Sequence, residues 1–175
     1  MHESSPAGVV TRIVPGVVDV VVLSPDIDAG VASGPSATQY TWRVLTLKRG
    51  ANTRCTGAWE IVHGRIESGE RPEQAAVREL FEETGLTATR LYNVTVNSFY
   101  LHQTGTIQLA LVFAAVVESN HSVTLGPEHS ESAWHTFAEA SEILAWPRER
   151  EALTHVQQLL KWGDAGPVED VLRIF

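Results

Sequence analysis

The sequence predicts an α/β domain. Three observations predict it: a continuous β-branched run at residues 17–23, a second apolar run at residues 107–118, and an amphipathic segment at residues 72–84 between them. Strands interleaved with a few helices, rather than grouped apart, indicate this class. The chain has 175 residues, enough for one domain with a core of its own.

Residues 1–8 read as a flexible N-terminus, 9–162 as a single domain and 163–175 as a C-terminal tail. The continuous β-branched run at 17–23 reads as a buried strand. Residues 25–39, rich in Gly, Ser, Ala and Asp, read as a mobile loop. Residues 40–48 alternate and form a strand closed by Lys48-Arg49-Gly50. Residues 58–62 form a short strand. Residues 72–84 form a helix: Pro72 suits a first helical position, Glu73 and Gln74 suit the first turn, and Gly85 can end it left-handed. Arg71 is a poor cap, so Glu70 or Ser68 is expected to cap it. Residues 90–100 and 107–118 are strands, the second a central partner in the sheet, and 134–137 is a short strand. Residues 138–145 and 148–162 are helices broken at Pro147. Leu172, Ile174 and Phe175 pack back on the domain or on a second subunit, as a homodimer.

Composition excludes several classes. A formal net charge of -8 is the wrong sign for a nonspecific nucleic-acid binder. No basic region followed by an apolar run marks a secretion signal, and no apolar stretch is long enough to span a bilayer. A single cysteine, Cys55, excludes an intramolecular disulfide and fits a reducing cytoplasm.

The chemistry sits in one stretch: Gly64, Glu70, Arg78-Glu79-Leu80, Glu82-Glu83 and Gly85-Leu86. At about 5% usage per residue type, a chance match to that spacing is on the order of one in 10^8. On the helix, Glu79, Glu82 and Glu83 share one face, while Ala76, Val77, Leu80 and Phe81 face a core. Three carboxylates at i, i+3 and i+4 repel one another, and a hard, oxygen-preferring cation such as Mg2+ relieves this. An anionic substrate would otherwise depend on a few cations, of which Arg49 and Arg54, just ahead of the motif, are candidate triphosphate contacts.

This pattern closely resembles the signature of the Nudix hydrolases. The resemblance implies a mixed β-sheet sandwiched between α-helices. It also implies a loop-helix-loop that binds Mg2+ or Mn2+ and hydrolyses a diphosphate linkage in a nucleoside diphosphate derivative. On the same resemblance, Glu82 and Glu83 coordinate metal, and Glu79 is a metal ligand or general base. Arg78 orients the catalytic glutamate, and Glu70 supports the helix. His63 stands where a glycine carbonyl often binds metal; its ring could instead touch substrate. Glu128 matches a downstream carboxylate, with Glu131 as the alternative, ahead of a strand carrying Trp134.

The approach Trp59-x-x-Val62-x-Gly64 is similar to that of bacterial dihydroneopterin triphosphate and dATP pyrophosphatases, with His63 in place of their threonine. No proline lies between Leu86 and Gly126, which counts against ADP-ribose pyrophosphatases, while Tyr100 is near the tyrosine of diadenosine polyphosphate hydrolases. The expected substrate is therefore a nucleotide or pterin triphosphate. A dinucleoside polyphosphate is the alternative, and a non-catalytic nucleotide-binding module a third. Arg49, Arg54, Trp59 and Glu70 form the expected substrate-binding set. Trp59, Trp42, Phe99 and Tyr100 are the aromatics expected near a base.

Overall fold

The computed structural model describes residues 12–26, 40–119 and 122–175. The expected flexible start at 1–8 and most of the expected loop at 25–39 lie outside the described residues. The elements in chain order are β1 (Arg12–Pro25), β2 (Trp42–Arg49), β3 (Trp59–Glu60), β4 (Val62–Arg65), α1 (Pro72–Thr84), β5 (Arg90–Leu101), β6 (Thr106–Val116), β7 (His129–His135), α2 (Phe137–Ile143) and α3 (Pro147–Leu159). A 3-10 turn (Gly166–Val168) and α4 (Glu169–Leu172) follow.

Among the described residues, the strands form one seven-stranded mixed sheet in the order β3-β2-β1-β6-β5, with β4 on β1 and β7 on β2. The β1–β6 pair is parallel and the other pairs are antiparallel. Side chains alternate along β1, so the sheet buries two cores. Val18, Val20 and Val22 pack with Ala75, Ala76 and Leu80 of α1 on one face. Val21 and Leu23 pack with Ala140, Ala152, Leu153 and Val156 of α2 and α3 on the other. This is the expected helix–sheet–helix arrangement, and it makes β1 and β4 readable from both sides.

Several local expectations are corrected. The strand expected at 58–62 is two strands, because β3 pairs with β2 whereas β4 crosses to pair with β1. The strand expected at 134–137 begins at His129, and Phe137 opens α2 instead. Thr136 caps that helix by accepting from the Glu139 N–H. On α1, Phe81 is exposed while Ala75 and Thr84 are buried. Two alanines let the helix lie close to the sheet, rotated so that Glu79 and Glu83 meet β4. Thr84 satisfies its buried hydroxyl on the Leu80 carbonyl. The start of α1 is closed by Gln74 accepting the Arg71 N–H at 3.0 Å, not by Glu70 or Ser68.

Trp42, expected near a base, is core: it is buried and its Nε1 donates to the Leu160 carbonyl at 2.9 Å. The tail packs on its own domain. Ile174 N–H donates to Leu91 O, and Tyr92 OH donates to Glu169 Oε1. These bonds cover the start of the β5 edge.

Candidate active site

Gly64 sits on β4 opposite Val18, and its missing side chain is what admits Glu79. A Cβ there would lie 1.8 Å from Glu79 Cδ. The helix that carries Glu79 ends at Gly85, whose φ of 70° is the left-handed region and whose N–H donates to Phe81 O. The loop before β7 then closes over the helix end. Thr124 N–H donates to Thr84 O and Gly126 N–H to Glu83 O, satisfying carbonyls that a helix terminus leaves free. A Cβ on Gly126 would stand 2.7 Å from Glu82 O. Gly126→Ala is expected to lower stability by about 1–3 kcal/mol through this backbone clash, measured by thermal unfolding.

Arg78 organises the acidic face. Its Nε and Nη2 donate to both oxygens of Glu70 at 2.9 Å, and Nη2 also donates to Arg65 O. Its Nη1 donates to Glu79 Oε1 at 2.8 Å and to Glu82 Oε2 at 3.1 Å. The paired Glu70 holds the guanidinium pKa above its usual value, and Arg78 in turn holds the Glu70 carboxyl below its own. One cation thus sets the position of three carboxylates. Arg78→Met is expected to cut kcat about a hundredfold, with circular dichroism unchanged. Arg78→Lys should recover little of it, since an ammonium cannot make the bidentate fork.

Glu83 turns toward a second group. His63 N–H donates to its carboxylate, yet among the described residues its Oε2 is buried with no hydrogen-bond partner. Burial, then the charges of Glu79, Glu60 and Glu128, push its pKa up to about 9. Glu60 is itself buried on β3 and accepts from Arg49 Nη1 at 2.9 Å. His129 Nε2 lies 3.0 Å from the same oxygen. Burial raises the Glu60 pKa, but the bonds from His129 and Arg49 outweigh it and hold the group below its usual value. Arg49 Nη2 reaches on to Glu128 Oε2 at 2.9 Å.

The site is therefore an acidic surface with Arg78 at one end and Arg49 at the other. Its donors are carboxylate oxygens, the type a hard divalent cation prefers, and Glu83, whose Oε2 is buried without a hydrogen-bond partner among the described residues, lies within the field of three more carboxylates. The residues fit such an ion. Among the described residues, no three acids or imidazoles yet converge on one point, because Arg78 draws Glu79 and Glu82 onto its own Nη1.

The structure brings together Glu70, Arg78, Glu79, Glu82, Glu83 and Glu128 of the expected set. Glu131 instead pairs with Lys48 at 2.8 Å. Arg49 is engaged with carboxylates, and Arg54 stands exposed in the β2–β3 turn, 3.5 Å from Gln103 Oε1. Trp59 alternates with Glu60 and so faces His135 on the other side, edge-on at 6.1 Å. His63 gives its backbone to Glu83, while its ring turns to Asp19 on β1. Sequence reasoning missed Glu60, Asp19 and the role of His129. A lone acid inside an apolar strand, as at Asp19 and Glu60, was the available signal.

A NUDIX domain family model matches residues 34–156. A Myxococcus xanthus octanoyltransferase is 36% identical over 122 residues, covering 69% of this chain and 32% of that protein. A Bartonella quintana RNA pyrophosphohydrolase is 40% identical over 61 residues, covering 35% of each. The chain thus matches about a third of the length of these curated relatives. The E. coli dihydroneopterin triphosphate pyrophosphohydrolase structure superposes with a TM-score of 0.60 at 22% identity, covering 85% of this chain and 97% of that one. With the family model covering most of the chain and the acid-bearing helix placed as its spacing requires, this protein belongs to the NUDIX domain family.

Proposed function

We propose that the protein is a divalent-metal-dependent pyrophosphohydrolase that cleaves a diphosphate linkage in a nucleoside triphosphate-like substrate, a dNTP or dihydroneopterin triphosphate. The observation that carries this reading is the Glu83 oxygen that is buried without a hydrogen-bond partner among the described residues, on a carboxylate whose pKa the charges of Glu79, Glu60 and Glu128 help to raise. Glu82, Glu83 and Glu128, with the His63 carbonyl, would hold Mg2+ or Mn2+, which would supply charge neutralisation at the diphosphate and a more acidic water. The protein supplies the rest. Arg78 fixes Oε1 of Glu79, so its other oxygen is oriented to accept a proton as water attacks phosphorus. Arg49 and His129 hold the Glu60 carboxyl below its usual pKa and so keep it ionised. The products are a nucleoside (or pterin) monophosphate and pyrophosphate. The single cysteine, exposed and free, supports action in a reducing cytoplasm; among the described residues no helix is long and apolar enough to cross a membrane.

The test is a product-resolved screen of dNTPs, oxidised dNTPs, dihydroneopterin triphosphate, dinucleoside polyphosphates and ADP-ribose, in Mg2+, in Mn2+ and in EDTA. Monophosphate and pyrophosphate from a triphosphate, lost in EDTA, is the expected result. Preferential cleavage of the dinucleoside polyphosphates would shift the reading to that class. Saturable binding without any product would leave a nucleotide-binding module.

A further inference from the structure

β5 is an outermost strand of the sheet, and its outer side is covered only at its start among the described residues. There Leu91 N–H donates to Phe175 O, Ile174 N–H donates to Leu91 O, and Arg173 lies opposite Tyr92. Leu91 thus points both of its backbone groups away from β6. A bulge follows, where the register on β6 shifts between Asn93 and Thr95. The extra residue moves the outward-pointing set from the odd positions to the even ones, Val96, Ser98 and Tyr100. Past the bulge, no described strand or tail residue pairs with this edge.

Sheets normally blunt a free edge with lysine, proline or an inward-pointing charge. Residues 95–101, Thr-Val-Asn-Ser-Phe-Tyr-Leu, hold none of these, and they favour a strand. The sheet face beside them is also open. Val96 lies opposite Leu111 and Tyr100 opposite Ile107 on β6, and Ile13 on β1 lies beyond Ile107. Leu111 packs into the core under α1, whereas Ile13, Val96 and Tyr100 are 60%, 52% and 60% exposed. Backbone groups that need a strand and side chains that need an apolar neighbour thus lie along one line.

We infer that this edge is a dimerisation surface, at which β5 pairs antiparallel with β5 of a second copy about a two-fold axis at Ser98. Charge favours a second copy as the occupant. Two chains of net charge -8 repel over most of their surface, but residues 91–101 carry no charged side chain. Register favours it too. Only an axis at Ser98 maps Val96, Ser98 and Tyr100 onto one another. Each copy then sets Val96 against Tyr100 of the other, a favourable β-branched–aromatic pair, with Ser98 against Ser98 between them. Three such pairs make about six backbone hydrogen bonds. The seven residues at 95–101 fall short of the about 20–30 a side of a standard interface, so the dimer dissociates readily. The inference is independent of the pyrophosphohydrolase reading.

Sedimentation equilibrium of the full chain should show monomer and dimer with a Kd on the order of 10 µM. Amide exchange at Val96, Ser98 and Tyr100 should slow as the dimer fills. Ser98→Lys sets like charges against each other at the axis and should weaken the dimer at least about tenfold, with circular dichroism unchanged. Ser98→Pro removes the axial N–H, which an edge strand tolerates, and should do the same. In a Cys55→Ser background, Ser98→Cys should oxidise to a disulfide-linked dimer, because a hydrogen-bonded pair brings its Cα atoms to about 5.5 Å. Val96→Cys should not, since the two copies of that position lie four residues apart along the ladder, about 13 Å. A monomer at every concentration up to about 300 µM overturns the inference. So does amide protection that is independent of concentration, which would mean that the chain's own residues cover the edge. A dimer that Ser98→Lys leaves intact, or one that Val96→Cys crosslinks as fast as Ser98→Cys, overturns it as well. If Ser98→Pro does not fold, Ser98→Lys and the two cysteine variants decide.

Discussion

Glu83→Gln is expected to lower kcat about a thousandfold, equivalent to roughly 4 kcal/mol of transition-state stabilisation, while leaving the protein in EDTA at least as heat-stable as the wild type. The two effects share one cause. Among the described residues Glu83 carries a buried oxygen without a hydrogen-bond partner, and the charges of Glu79, Glu60 and Glu128 act against its own, so that charge is costly without a cation. An amide removes that repulsion and keeps the shape. It also removes an anionic ligand and so should abolish stabilisation by Mg2+. Glu82→Gln should lose similar activity with little stability change, because Glu82 is exposed and shares Arg78 with two other carboxylates. Melting curves with and without Mg2+, beside initial rates, check both. Full activity in either variant would remove these glutamates from the site.

Gly64→Ala should cost at least about a hundredfold in kcat, although it adds a single methyl group far smaller than any catalytic side chain. The added Cβ would occupy the volume of the Glu79 carboxylate, 1.8 Å from its Cδ. Glu79 would have to leave, and Arg78 would lose one of the oxygens it positions. The strand should survive, because β4 keeps its pairing with β1 through backbone groups. Near-native circular dichroism with the large rate loss is therefore the expected pair of readings. Wild-type kcat in this variant would show that Glu79 works from another position.

Much of the acidic helix was legible because its information is local. Spacings of three and four residues put Glu79, Glu82 and Glu83 on one side of any helix, and Pro72 and Gly85 mark its ends. The rotation of that helix was less legible. Phe81 matches the apolar stripe yet is exposed, because close packing through Ala75 and Ala76 decided the angle. Trp59 and Glu60 are neighbours in sequence, and strand alternation sends them to opposite faces.

The sequence by itself determined the family pattern, the strand-and-helix alternation and the acidic helix, since each is written in spacings within one turn, one strand or one loop. Only the tertiary structure decided that Glu60 meets His129 across 69 residues and Asp19 meets Arg148 across 129. Those meetings depend on which strands pair, in which register, and on which face each side chain emerges. A one-residue slip in β4 would exchange the faces of His63 and Gly64 and dissolve both clusters, a dependence no local pattern encodes.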